Sequence, residues 1–300
     1  MGWTAAGPCR RSDAPRMIVE TAYAKINLAL HVRRRRDDGY HEIETIFAFA
    51  EHGDLIEADL GAPPALTIEG EFAEALAGED PNDNLVMHGG QMLLAALGGG
   101  IMPGIRLTKS LPVAAGIGGG SADAAAVIRL LCGAAGVALD DPRVMTVART
   151  LGADVPACVM SHSVRGDGRG DDLIAVEAQA LDAMPLLLVN PRVPLPTGPV
   201  FRAWDGVDRG MLDNGEPLAA AIAGRNDLEA PARAIRPVIG EVVDLLAAQP
   251  GVVLARMSGS GATCFALFDS EAARDAASAV IRGGRSDWWQ LATRVRPARS

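Results

Sequence analysis

Three consecutive glycines, Gly118, Gly119 and Gly120, stand immediately before a segment with helical spacing, and few folds make use of such a junction. The full stretch reads Pro112-Val113-Ala114-Ala115-Gly116-Ile117-Gly118-Gly119-Gly120-Ser121. Glycines let a backbone come close to a ligand that side chains would keep away. A helix that starts at their end turns its unpaired N–H groups and the positive end of its dipole toward that ligand, which makes a phosphate group the natural occupant. Ile105 to Lys109 reads as a strand before the loop, and Ala124, Val127, Ile128 and Leu131 keep helical spacing after it, up to Gly133 and Gly136.

Better-known loops of this kind fail on particular residues. A Walker A loop ends in Gly-Lys-Ser/Thr, whereas Gly120-Ser121-Ala122 has no lysine, and a dinucleotide fingerprint needs glycine where Ser121 stands. The His-Arg-Asp and Asp-Phe-Gly signatures of protein kinases are absent. Net charge narrows the field further. At −9 over 300 residues the chain lacks the basic surface that nucleic-acid backbones require, so an anion must be held locally by backbone dipoles and a metal ion. The one dense basic run, Arg33 to Arg36, precedes the turn signal Asp37-Asp38-Gly39 and reads as a solvated hairpin tip rather than a ligand patch.

Cys9, Cys132, Cys158 and Cys264 form no C-x-x-C pair, which argues against a zinc or redox motif and suits a reduced, cytoplasmic setting. The longest apolar stretch, Ala124 to Leu139, is interrupted by Arg129 and falls short of the roughly 20 residues of a membrane-spanning helix. Residues 1–16 carry two prolines and no apolar run, so they do not read as a secretory signal. Met17 is expected to be the natural start, or residues 1–16 a loose tail.

From Ala22 to Val32 apolar residues alternate with Tyr23, Lys25, Asn27 and His31, which predicts a half-buried strand with Lys25 and Asn27 on the same side. A second strand is expected over His41 to Phe49, a Pro- and Gly-rich loop over Gly61 to Gly70, and a helix over Asn84 to Leu97. Leu186 to Val189 reads as a short strand after a boundary that separates residues 17–178 from 179–300. Beyond it come a helix over Val238 to Ala248, strands over Val252 to Arg256 and Thr263 to Phe268, and a helix over Glu271 to Ile281. Strands and helices interleave in both halves, so the class is α/β or α+β.

Pro112 to Ala125, Ala24-Lys25-Ile26-Asn27-Leu28 and Ser258-Gly259-Ser260-Gly261-Ala262-Thr263 together resemble the three motifs of the GHMP kinase superfamily, in their expected order. Gly39-Tyr40-His41, Gly152-Ala153-Asp154-Val155-Pro156 and Asn226-Asp227-Leu228-Glu229 resemble the branch that acts on a CDP-linked methylerythritol, and the likeness runs from about Met17 to Val295. It implies an α+β fold with an N-terminal ATP-binding domain and a C-terminal ferredoxin-like domain. It also implies ATP and Mg²⁺ as cofactors and a small-molecule alcohol acceptor, with neither nucleic acid nor membrane as partner; we expect a monomer or weak homodimer.

The same resemblance assigns roles. Asp154 takes the proton of the acceptor hydroxyl, while Lys25 stabilises that oxygen and the transferring phosphoryl group. Tyr40 and Phe201 stack on the cytosine, His41 binds its edge, and Asn27 and Thr197 line the methylerythritol pocket. Residues 112–121 hold the phosphates, with Ser121 a possible metal donor, and Lys109 and Asn84 stand at the adenine side. The loop Gly166-Asp167-Gly168-Arg169-Gly170-Asp171 lies near the substrate. Taken singly, these residues have blander readings: Asp154 as a helix or turn cap, Lys25 as an exposed strand residue, Tyr40 and Phe201 as core aromatics, and Asp123 as a helix cap rather than a metal ligand. The alternatives carried forward are a kinase for another alcohol, such as mevalonate or homoserine, and a non-catalytic nucleotide-binding protein.

Overall fold

The computed structural model of the chain describes residues 17–78, 80 and 83–298. The expectation for residues 1–16 lies outside the described residues. The first half contains β1 (Met17–Arg35), β2 (His41–Asp59), β3 (Ala65–Glu69), α1 (Leu85–Ala96), β4 (Gly104–Thr108), α2 (Gly119–Ala135), α3 (Pro142–Leu151), α4 (Val155–Met160), β5 (Val164–Asp167) and β6 (Asp172–Ala175). The second half contains β7 (Pro185–Asn190), α5 (Thr197–Arg202), α6 (Pro217–Ala223), α7 (Glu229–Ile235), α8 (Val238–Ala247), β8 (Val252–Met257), β9 (Cys264–Phe268), α9 (Glu271–Gly284) and β10 (Trp289–Arg294).

Two sheets result. In the first, β2 is the backbone: it pairs antiparallel with β1 along its whole length, and with β4 and β5 at its two ends. β3 adds in parallel to β4. The stretch Gly61 to Gly70, read as loop, thus contains an edge strand whose partly buried Leu66 and Ile68 pack against the core. The second sheet is antiparallel in the order β10-β7-β9-β8, the arrangement of a ferredoxin-like unit.

β1 departs from the half-buried strand that its alternation predicts. Residues 24–32 are all buried, including Lys25, Asn27 and His31. The cause is long-range: one buried cluster combines Ile26, Leu28 and Ala48 of the first sheet, Leu111, Ala115 and Ile117 of the glycine loop, and Leu188, Phe265 and Leu267 of the second sheet. The polar residues of β1 are therefore covered by the rest of the chain instead of facing water. Burial on this scale fixes their positions, because a buried polar group must find its partners within the protein.

The turn falls at Asp37–Gly39 as its signal predicts, but of the arginine run only Arg36 lies in the hairpin tip, because Arg33 to Arg35 end β1, with Arg34 and Arg35 paired to β2. Each arginine is tied down: Arg33 to Asp208, Arg34 to Glu42, Arg36 to Asp38, and Arg35 to the carbonyls of Arg202 and Trp204. Among the described residues no helix is long and apolar enough to cross a membrane. Cys132, Cys158 and Cys264 are buried free thiols.

Candidate active site

The glycine loop is shaped by two close approaches. Gly116, at φ +76°, lies so near the turn after β8 that a Cβ would come within 2.5 Å of the Ser258 carbonyl oxygen. Gly118, at φ +65°, would bring a Cβ to 3.1 Å from Lys25 Cε. Both positions thus require glycine for conformation and for space. Gly118 is also the N-cap of α2 and offers no side-chain cap, so the first-turn N–H groups stay available to the cleft.

The Ser258 turn braces this loop. Ser258 Oγ donates to the Gly116 carbonyl at 2.9 Å and accepts from the Asn27 N–H at 3.2 Å, and the Thr263 N–H donates to the Ala115 carbonyl at 3.0 Å. The turn is held in its own place by Asn226, whose amide donates to the carbonyls of Met257 and Gly259, both at 2.8 Å. The Asn226 motif therefore contributes by supporting the turn. Sequence reasoning had given it no role.

Beside the loop, Lys25 Nζ donates to Asn27 Oδ1 at 2.9 Å and lies 3.0 Å from Asp154 Oδ2. Asn27 Nδ2 in turn donates to Thr45 Oγ1, which donates to the Ala29 carbonyl. The chain of bonds leaves Lys25 one orientation, with its ammonium aimed at the carboxylate. Asp154 precedes α4 but makes no side-chain cap bond to it, which removes the capping reading and frees the carboxylate to face the cleft.

The opposite end of the cleft is aromatic. The His41 ring lies 4.9 Å from that of Phe201 and meets Trp204 edge-on at 5.8 Å. His41 Nε2 is buried and has no protein partner. Burial, helped by Arg35, holds the His41 pKa below its ordinary value, so the ring is neutral at neutral pH. Tyr40 is half exposed with the Arg169 guanidinium 5.0 Å from its ring centre, and Arg169 is paired with Asp171 at 2.5 Å. Thr197 Oγ1 and Ser260 Oγ lie 2.9 Å apart at the floor.

The loop, the Lys25–Asp154 pair and the aromatic end meet in one cleft of about 590 Å³. It gathers Lys25, Asn27, Tyr40, His41, Asp154, Thr197, Phe201 and most of the glycine loop, namely Ala114, Ala115, Gly116, Gly118, Gly119, Gly120 and Ser121. Pro112, Val113 and Ile117 belong to the loop without lining the cleft; Ile117 is instead buried in the core. Asn84 caps α1 by accepting from the Val86 N–H at 3.0 Å, and its neighbour Leu85 lines the cleft in its stead. Arg169, from the loop expected near the substrate, lines it as well, and so do Arg202 and Ser260, to which the sequence assigns no role.

Lys109 is the clearest departure from the expected site. It is fully buried below the loop, with Nζ 2.5 Å from Asp54 and 2.8 Å from Asp123, and does not reach the cleft. Burial opposes its charge, but Asp123 and Asp54 together hold its pKa above the ordinary value. Asp123 is correspondingly no helix cap: it lies in the second turn of α2, and burial pushes its carboxyl up to about 7 against the pull of Lys109.

Known proteins match this chain over nearly its whole length. The profile for the N-terminal domain of GHMP kinases matches residues 84–162, and that for the GHMP kinase C-terminal region matches residues 204–285. A 4-diphosphocytidyl-2-C-methyl-D-erythritol kinase of Rhizorhabdus wittichii is 70% identical over 277 residues, covering 92% of this chain and 94% of that protein. The chain belongs to the GHMP kinases, in the 4-diphosphocytidyl-2-C-methyl-D-erythritol kinase family. A second member of that family, from Sphingopyxis alaskensis, is 53% identical and is covered over 98% of its length.

A crystal structure of a 4-(cytidine 5'-diphospho)-2C-methyl-D-erythritol kinase superposes with a TM-score of 0.72 at 30% identity, covering 93% of this chain and 99% of that one. A homoserine kinase from Cytophaga hutchinsonii superposes almost as well, at 0.71, with 17% identity and coverage of 97% and 99%. The latter likeness is one of fold. The α+β GHMP kinase architecture expected from the motifs is thus the architecture of this chain, and the chain is a kinase.

Proposed function

We propose that this kinase moves the terminal phosphoryl group of ATP to the 2-hydroxyl of 4-diphosphocytidyl-2-C-methyl-D-erythritol, a step of non-mevalonate isoprenoid synthesis in the cytoplasm. The observation that carries the reading is the Lys25–Asp154 pair at 3.0 Å, in one cleft with an uncapped helix N-terminus at one end and the His41–Phe201 pair at the other.

The N–H groups of the glycine loop and of the first turn of α2 suit the triphosphate, since they are fixed donors that need no side-chain charge. The Ser121 hydroxyl lines the cleft beside the glycine loop and would be the protein's donor to a Mg²⁺ ion that arrives with the nucleotide. When bound, the ion neutralises charge on the phosphates. Asp154, reachable from the cleft, accepts the proton of the acceptor hydroxyl as its oxygen approaches phosphorus. Lys25, fixed by Asn27, offers its ammonium to that oxygen and to the transferring group. A loose phosphoryl-transfer transition state asks mainly for such positioning and charge neutralisation.

At the far end, Tyr40 and Phe201 provide faces for a pyrimidine, with each stack worth about 1 to 3 kcal/mol. Stacking accepts any base, so the selection of cytosine falls to His41, whose buried Nε2 is free to pair with a ring edge. The Thr197–Ser260 hydroxyl pair and Asn27 favour the polyol part of the acceptor. A kinase for mevalonate or homoserine would have no use for this aromatic end.

The test is to incubate the protein with ATP and the CDP-linked alcohol and to follow ADP release together with the mass of the alcohol. Acceptor-dependent ADP release and an alcohol carrying one added phosphate are expected. ATP hydrolysis independent of the alcohol would overturn the assignment.

A further inference from the structure

Three charged groups lie beneath the glycine loop and take no part in the chemistry above. Lys109 Nζ bridges Asp54 and Asp123 at 2.5 and 2.8 Å, and the three side chains are 2%, 0% and 5% exposed. Asp54 comes from β2 and spends its other oxygen on the N–H groups of Ser110 and Leu111, at 2.5 and 2.8 Å. Asp123 comes from α2, and its Oδ1 has no protein partner. The triad therefore joins three elements: the central strand of the first sheet, the lead-in to the glycine loop, and the helix whose N-terminus the loop opens. It lies close to the phosphate end, since a Cβ on Gly119 would be 3.6 Å from Lys109 Nζ.

Stability alone is a weak reason for such an arrangement. Three ionisable groups are held out of water, one of them, Asp123, with its carboxyl pushed up to about 7 by burial, and buried ion pairs are often no more stable than apolar residues of the same volume. A geometric role accounts for it better. We propose that the Asp54–Lys109–Asp123 triad is the positioning element of the phosphate loop, fixing the loop's lead-in against α2 so that the first-turn N–H groups converge on the nucleotide. The inference rests on the reading of that loop as the ATP site. Asp54 and Asp123 act through Lys109, and Lys109 acts through the loop rather than by touching adenine.

The experiment measures KM for ATP, KM for the CDP-linked alcohol, kcat and melting temperature in the wild type, Asp54→Asn, Lys109→Met and the double variant Lys109→Met/Asp123→Asn. Loss of loop register is expected to raise KM for ATP by about 10-fold in each, with KM for the alcohol within about twofold of the wild type. Lys109→Met leaves Asp54 and Asp123 buried without their counter-charge and lowers the melting temperature. The double variant removes one of the two carboxylates that Lys109 balances and regains part of the loss, yet its KM for ATP stays high. Recovery of KM in step with the melting temperature would reduce the triad to a structural ion pair and overturn the proposal.

Asp54→Asn keeps its side-chain volume and is the variant to rely on if Lys109→Met does not fold. A normal KM for ATP in Asp54→Asn, with a raised value only where Lys109 is changed, would mean that the lysine binds nucleotide directly, again against the proposal. Failure of the wild type to transfer phosphate from ATP would instead count against the proposed function. The two failures are thereby separate.

Discussion

The two ends of the cleft are built on opposite terms. At the phosphate end, Lys25 and Asn27 are buried, Gly116 is pressed against the backbone of the Ser258 turn and Gly118 against the Lys25 side chain, and the Asn27 N–H is bonded to Ser258 of the second half. At the acceptor end, Tyr40 is half exposed on a hairpin tip, Arg169 and Arg202 stand at the rim, and the aromatic group is held by packing and by Arg35. The contrast follows from the tasks. Misplacing a reacting atom by an ångström costs far more than tilting a stacked ring, so rigidity is concentrated where bonds change and exposure is tolerated where a base is admitted.

The largest effect that would sharpen this contrast is expected at Asp154. Asp154→Ala should lower turnover by roughly 10² to 10⁴, about 3 to 5 kcal/mol of barrier, with nucleotide affinity little changed. Single-turnover kinetics beside nucleotide titration check it, and near-normal turnover would break the assignment of the proton acceptor. Next comes Gly118→Ala. It places a Cβ in the left-handed region, which costs about 1 to 2 kcal/mol, and pushes on Lys25, so kcat/KM for ATP should fall by about 10-fold or more.

At the acceptor end the changes should fall on binding. Phe201→Ala is expected to raise KM for the alcohol by about 5- to 100-fold, more than it lowers kcat, and an unchanged KM would remove Phe201 from the site. The smallest effect concerns His31, which is buried in β1 and ties that strand to Gly210 and Arg225. Its Nδ1 meets the Gly210 carbonyl at 3.1 Å, and its Nε2 accepts from the Arg225 N–H at 3.2 Å, an arrangement only the neutral ring satisfies. Burial, and then Arg225, hold its pKa below 6.5. The unfolded chain thus binds the proton more readily, and the stability this residue contributes is present above about pH 6.5 and lost as the pH falls toward its folded value. Thermal melting across that range should show a pH slope that His31→Gln flattens.

Local signals in the sequence carried a good part of this picture. The i, i+2 spacing of Lys25 and Asn27 put the two on one side of a strand, and they do bond to each other. The glycine run announced a helix N-terminus, and α2 begins there. Long-range features did not show. The strand bearing Lys25 reads as half-buried because its second cover, with Phe265 and Leu267, lies more than 200 residues further on. Lys109 reads as a strand-end cation free to meet a ligand, since nothing local reveals that Asp54, on another strand, and Asp123, on a helix, enclose it. Arg35 reads as part of a turn, whereas it ends β1, and its bonds to the carbonyls of Arg202 and Trp204 depend on how the second half folds back.

The central claim is that one end of the cleft performs the transfer while the other selects a cytidine-tagged acceptor. It is tested most directly by comparing kcat/KM for 4-diphosphocytidyl-2-C-methyl-D-erythritol with kcat/KM for methylerythritol 4-phosphate, which has the same hydroxyl and no base. Loss of the stacked ring should lower kcat/KM by about 10² or more. Equal values for the two acceptors would contradict the claim.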